Sequence, residues 1–148
     1  MSLSSSFSTP CFYILFVLCS VRLGFKCGGQ LNTPTGVITS PNYPNRYPHS
    51  RSCTWDITVP EGRRVTLTFS DLRLEAPSSD LCKSDYVEVF DELYGTLVSL
   101  GRWCHNIEPP DLRSTSNRMV VVFRSDATTN GNGFSARWDV VIPEHTFQ

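Results

Sequence analysis

The chain has 148 residues, 40% of them hydrophobic, with 13 Lys and Arg set against 14 Asp and Glu. That length suits one ordinary domain rather than two. A formal net charge of −1 gives no global attraction to nucleic acid or to an anionic membrane surface, so neither is an expected partner.

The first element in the chain is an apolar run, CFYILFVLCSV, from Cys11 to Val21. It is too short for a membrane span, which needs roughly 20 residues. It suits the apolar region of a secretory signal peptide covering residues 1–24, with cleavage expected between Cys19 and Lys26. No Lys or Arg precedes the run, and no A-x-A site follows it. Of six cysteines, Cys11 and Cys19 would leave with this segment. Cys27, Cys53, Cys82 and Cys104 remain, and an even count in a small exported chain reads as two disulfides. Each bridge contributes about 2–4 kcal/mol. Sequential pairing closes the shortest loops, but spacing alone does not choose among the three connectivities. Neither CxxC nor HxxxH occurs to support a zinc site.

After Cys27 the pattern has period two, the mark of strands with one core face and one wet face. Thr35–Ser40 predicts a short strand. Cys53, Trp55, Ile57 and Val59 alternate with polar residues, as do Val65, Leu67 and Phe69. Tyr86–Phe90 and Met119–Phe123 are more uniformly apolar, as central strands are, and Gly95–Leu100 adds another short strand. Phe134, Ala136, Trp138 and Val140 close the series. SPNYPNRYP, Pro60–Gly62 and Asn130–Gly133 are turn signals, and Pro60–Gly62 predicts a hairpin. No helical periodicity exceeds about two turns. The expected fold is all-β, an antiparallel sandwich of two sheets, with a short tail after residue 142.

Catalytic machinery is not expected. His49, His105 and His145 sit in turn-like contexts without catalytic or metal-ligand spacing, and G-x-S-x-G, H-E-x-x-H and the P-loop are missing. Carboxylates are the chemistry on offer. Residues 71–89 hold Asp71, Glu75, Asp80, Asp85 and Glu88. Glu75 ends one strand segment, Asp85 starts the next, and Asp126 ends a third before a polar loop. Three strand-end acids converge only if their repulsion is neutralised. A hard cation such as Ca²⁺ does this with about six to eight oxygens at roughly 2.3–2.6 Å. Thr128 and Asn130 lie where a carbonyl or amide oxygen could complete such a shell. Asp71, Asp80, Glu88 and Asp91 read as ordinary surface.

The segments CGGQL, TGVITSPNYPNRYP, CTWDITVPEGRRVTLTFSDLRLE, CKSDYVEV, LGRWC and STSNRMVVVFRSDATTNGNGFSARW follow one another from residue 27 to about residue 141. In this order they resemble the CUB domain family. The resemblance implies an extracellular β-sandwich over residues 27–142 with disulfides Cys27–Cys53 and Cys82–Cys104. It implies a Ca²⁺ site at Glu75, Asp85 and Asp126, with a Thr128 carbonyl as a further ligand and Tyr47 positioning a carboxylate. Two positions depart from the family pattern: Glu92-Leu93 and His105 stand where glycines are common. The function implied is secreted, calcium-dependent recognition of a protein partner through its Lys or Arg. Two alternatives stay open: a glycan-binding protein similar to the spermadhesins, and an N-terminal piece of a larger protease or receptor.

Overall fold

The computed structural model describes residues 26–79 and 81–144. The expected signal peptide with Cys11 and Cys19, and also Asp80 and His145, lie outside the described residues. In chain order the strands are β1 (Gly29–Leu31), β2 (Thr35–Thr39), β3 (Ser52–Thr58), β4 (Arg64–Arg73), β5 (Tyr86–Leu93), β6 (Thr96–Trp103), β7 (Leu112–Arg113), β8 (Arg118–Arg124) and β9 (Gly133–Val141). They form two stacked sheets, one ordered β1-β3-β8-β5-β6 and the other β2-β9-β4-β7. The architecture is the expected two-sheet sandwich. The uniformly apolar β8 and β5 are indeed interior strands of the larger sheet.

Alternation accounts for the core. Cys53, Trp55 and Ile57 of β3 face inward, as do Val87 and Val89 of β5, Met119, Val121 and Phe123 of β8, and Phe134, Ala136 and Trp138 of β9. Aromatic edges lock the two layers, with the Trp55 and Phe134 rings 5.6 Å apart and nearly perpendicular. Strand β4 changes phase. Val65, Leu67 and Phe69 are buried on odd numbers, then Leu72 and Leu74 on even ones. The register against β9 skips Ser70, a β-bulge between Phe69 and Asp71. The extra residue turns Leu72 and Leu74 into the core and so turns Glu75 away from it.

Two expectations need correction. Pro60–Gly62 is a turn, but it does not close a hairpin, because β3 and β4 lie in different sheets. The chain crosses the sandwich there and again between β8 and β9. The sheets are not wholly antiparallel: β1 pairs with β3 in parallel, Gln30 beside Asp56. A true hairpin joins β5 to β6 through Tyr94-Gly95, both at positive φ (51° and 81°), as a tight two-residue turn requires. Strand β5 therefore runs through Glu92-Leu93, and its glycine comes at the turn itself.

Cys27 is bridged to Cys53 and Cys82 to Cys104, with Cα–Cα separations of 5.3 and 5.5 Å. The first bridge ties the start of the chain to β3. The second ties the loop before β5 to the end of β6.

Candidate metal centre

Topology brings the three acids together. Asp85 immediately precedes β5, and Asp126 follows β8 by two residues. Strands β5 and β8 are hydrogen-bonded neighbours with Tyr86 opposite Arg124, so the two aspartates emerge side by side. The Asp126 backbone N–H donates to Asp85 Oδ1 at 2.7 Å. Glu75 comes from the other sheet, two residues beyond the end of β4. Arg73 at that strand end pairs with Gly133, the first residue of β9. The β8–β9 loop thus starts beside Asp85 and finishes beside Glu75, closing this end of the sandwich. One carboxylate oxygen from each of Glu75, Asp85 and Asp126 lies within 4.8 Å of the others.

Loop packing makes the convergence specific. Tyr47, from the SPNYPNRYP segment, is fully buried with its ring 5.1 Å from Phe123 in an edge-on contact. Its hydroxyl donates to Asp85 Oδ2 at 2.6 Å and accepts the Glu75 backbone N–H at 3.0 Å. A single oxygen therefore ties the acids of the two sheets. The Tyr47 N–H donates to the Gly131 carbonyl at 3.1 Å, and the Asn130 side-chain amide donates to the Tyr47 carbonyl at 2.8 Å. A Cβ at Gly131 would run into the Arg73 carbonyl, so this loop passes β4 only with glycine there.

Electrostatics set the site apart from ordinary surface. Asp85 is buried, and burial pushes its carboxyl above the usual aspartate range, with the Tyr47 hydrogen bond acting in the opposite direction. Glu75 is raised too, first by burial and then by repulsion from Asp85 and Asp126, with a hydrogen bond from the Thr129 side chain opposing. Glu75 Oε2 is buried and has no hydrogen-bond partner. Burial and the bond to Asp85 also push the Tyr47 phenol upward, so it stays a donor. Such an arrangement suits a hard cation. Oxygens at roughly 2.3–2.6 Å from a shared ion can be at most about 4.6–5.2 Å apart, and an orphaned buried carboxylate oxygen is the group a cation would satisfy.

The remaining expected residues divide. Thr128 directs its N–H and hydroxyl at Asp126 Oδ1, at 3.0 and 3.4 Å. Asn130 is engaged by Arg46, which donates to both its backbone carbonyl and its side-chain oxygen at 2.9 Å. Three acids read as surface are otherwise engaged. Asp91 is buried and accepts the N–H and hydroxyl of Thr115. Glu88 is buried and held by Arg102, and Asp71 accepts the Tyr43 hydroxyl at 2.9 Å. Arg46 and Thr129, which brace the site, were missed. Thr129 lies in the polar ATTNGNG loop and Arg46 in SPNYPNRYP.

The fold and the acidic end together define a disulfide-bridged β-sandwich module with no catalytic constellation among the described residues. The CUB domain family matches residues 27–138, and the chain belongs to that family. CUB domains are non-catalytic binding modules that often mediate protein interactions in extracellular proteins. Dog cubilin is 46% identical over 113 residues, covering 76% of this chain but 3% of cubilin. Human procollagen C-endopeptidase enhancer 2 is 42% identical over 119 residues, 80% of this chain and 28% of that protein. The chain thus spans a small part of the relatives it matches. Among solved structures, the MASP-1 CUB2 domain bound to Ca²⁺ superimposes with a TM-score of 0.68 at 30% identity, over 77% of this chain and 99% of that one. The full extracellular region of zebrafish Gpr126/Adgrg6 gives 0.70 at 34% identity, over 80% of this chain and 15% of that one. No helix among the described residues is long and apolar enough to cross a membrane.

Proposed function

We propose that this chain is an extracellular, calcium-dependent protein-recognition module. Glu75, Asp85 and Asp126 hold the ion, a Thr128 carbonyl completes the protein's share of the shell, and Tyr47 fixes Asp85 from behind. Bound there, Ca²⁺ supplies the positive charge that lets three carboxylates remain ionised side by side. The observation that carries this reading is the buried, unpartnered Glu75 Oε2 within a three-carboxylate cluster. The Ca²⁺-bound state of the MASP-1 CUB2 neighbour supports it. With the acids preorganised, an oxygen not needed by the ion receives a Lys or Arg of a protein partner as a charge-assisted hydrogen bond. Because the chain spans so little of cubilin, a second reading has support: the same recognition performed as one module of a larger extracellular protein.

The test is thermal unfolding of the purified chain with Ca²⁺, Mg²⁺ or chelator. A ligand that binds only the folded state raises the melting temperature with concentration. Half-saturation is expected on the order of 10⁻⁴–10⁻³ M, as for extracellular modules. A melting temperature that ignores Ca²⁺ across that range sinks the proposal.

A further inference from the structure

The dipeptide Asn-Gly occurs at Asn130-Gly131 and again at Asn132-Gly133, both on the segment that closes the acidic end and leads into β9. An asparagine followed by glycine is open to attack by the next main-chain nitrogen, because glycine has no Cβ to crowd the approach. The two sites differ in which reacting group is held. At Asn132-Gly133 it is the nitrogen. Phe134 turns its N–H and carbonyl to Ser40. Neighbouring strand residues point these groups in opposite directions, so the Gly133 N–H faces Arg73 across the β4–β9 ladder. Gly131 precedes β9, and its N–H donates to no group among the described residues. What is held at this first site is the side-chain amide. Arg46 donates to Asn130 Oδ1 at 2.9 Å, and the Asn130 amide donates to the Tyr47 carbonyl at 2.8 Å. Arg46 also donates to the Asn130 carbonyl and the Tyr47 N–H to that of Gly131, so residues 46–47 and 130–131 share a clasp of four hydrogen bonds. The clasp lies outside the strands and Arg46 is exposed, so it opens more readily than the sheets do.

We propose that Asn130 is a deamidation site gated by this clasp, a one-way latch on the acidic end. With the clasp closed, both polar atoms of the amide are anchored, and its carbon cannot swing onto the Gly131 nitrogen. With the clasp open, that nitrogen gives its proton to water and bonds to Asn130 Cγ. The Cγ–Nδ2 bond breaks, ammonia leaves and a cyclic imide forms. Water then opens the imide at either carbonyl, leaving aspartate or isoaspartate at position 130. Overall one water enters and one ammonia departs. Neither product re-closes the clasp. A carboxylate has no N–H for the Tyr47 carbonyl and sets an oxygen against it. Its ion pair with the exposed Arg46 contributes little in return. Isoaspartate also lengthens the main chain by one carbon, just where Gly131 passes the Arg73 carbonyl too closely to admit a Cβ. The Tyr47 main chain is thereby released, and with it the hydroxyl that joins Asp85 to Glu75. The loop that opens also carries Asp126, so a bound Ca²⁺ keeps the latch closed. That last step rests on the proposed function, whereas the reaction and its gate do not.

Peptide mapping of the full chain, aged in mildly alkaline buffer, tests this by reading the conversion of amide to acid, and the isoaspartate fraction, at each asparagine. The arms are wild type in chelator, wild type in Ca²⁺, and Arg46→Ala in chelator. In chelator, conversion is expected at Asn130 ahead of Asn132. Arg46→Ala removes two of the four clasp bonds. It should speed conversion at Asn130 about five- to tenfold, since modification of an opened state follows the open population. Arg46 is exposed, and a cooperative melt confirms that the variant folds. Saturating Ca²⁺ should slow the wild-type reaction by about fivefold or more. If Ca²⁺ changes nothing while Arg46→Ala accelerates conversion at Asn130, the gate stands and the calcium-dependent function falls. Asn130→Asp reproduces one product and should melt about 5 °C below wild type in chelator. No conversion at Asn130, conversion led by Asn132, a rate that Arg46→Ala leaves unchanged, or an Asn130→Asp variant as stable as wild type would each overturn the proposal.

Discussion

Replacing Tyr47 with phenylalanine removes one oxygen and little else. The ring still fills its place beside Phe123, so no cavity term enters. What is lost is a hydrogen bond to a carboxylate at 2.6 Å and an acceptor for the Glu75 N–H at 3.0 Å. A bond to a charged group contributes about 1.5–3 kcal/mol, and a buried group left unsatisfied costs about 1–3 kcal/mol. These two descriptions overlap, so the expected loss is about 2–4 kcal/mol in all. For a domain of this size, that lowers the melting temperature by roughly 10 °C. Calcium affinity should fall as well, by about 10–100-fold, the usual effect of removing a group that orients a metal ligand. The assays are thermal unfolding in chelator and calcium titration by calorimetry. If Tyr47→Phe melts within a degree or two of wild type and binds Ca²⁺ equally well, the hydroxyl does not order the acids and the reasoning about this site fails.

Two further outcomes follow from the same geometry. Glu75 and Asp85 have folded-state pKa values above their ordinary 4.5 and 3.8. In chelator, the stability gained by protonating them is full below about pH 4 and is lost as pH rises through the raised folded values. The neutral variant Glu75→Gln should therefore match wild type in acid and become the more stable of the two toward pH 7, whereas in saturating Ca²⁺ the wild type should be ahead. Melting curves at several pH values check this, and a variant less stable than wild type in chelator at neutral pH would contradict it. His105 has φ of 61°, a conformation that costs a non-glycine residue about 1 kcal/mol. His105→Gly should raise the urea midpoint without changing the slope, the gain being reduced to about 0.5 kcal/mol by the freer unfolded chain; a lower midpoint would show that the imidazole itself stabilises the fold.

Much of the sandwich was legible in the sequence: burial on one face imposes period two on β3, β4 and β9, β5 and β8 read as apolar runs, and β2 and β6 as short strands. The two it missed are β1, of three residues, and β7, of two, too short for any period to show. Which strands pair was not legible, since Pro60–Gly62 serves a sheet crossing as well as it serves a hairpin. The bulge in β4 was written in the chain: FSDLRLE moves its apolar positions from odd to even numbers at Ser70. Glu75, Asp85 and Asp126 could be found as strand-end acids because strand ends in a sandwich collect at two rims. Asp91 and Glu88 show the limit of that logic. Both are acids within a strand sequence, and only the tertiary partners Thr115 and Arg102 distinguish a buried, satisfied carboxylate from a solvated one. Asn130 shows the same limit, because only the fold reveals that Arg46 donates to both its oxygens.

The difference between the two kinds of buried acid is what gives the metal reading its force. Asp91 is as buried as a carboxylate normally becomes, yet all its burial is answered by donors: the Thr115 N–H reaches both its oxygens and the Thr115 hydroxyl one of them. Glu88 is answered by a two-pronged contact from the Arg102 guanidinium. These are structural acids and require nothing further. At the other end of β5, Asp85 receives one hydroxyl and one N–H, while Glu75 keeps an oxygen that is both desolvated and unbonded. A fold that completes the shells of its other acids with arginine and hydroxyl groups, and leaves this one open, has a place for a positive charge that the chain itself does not supply.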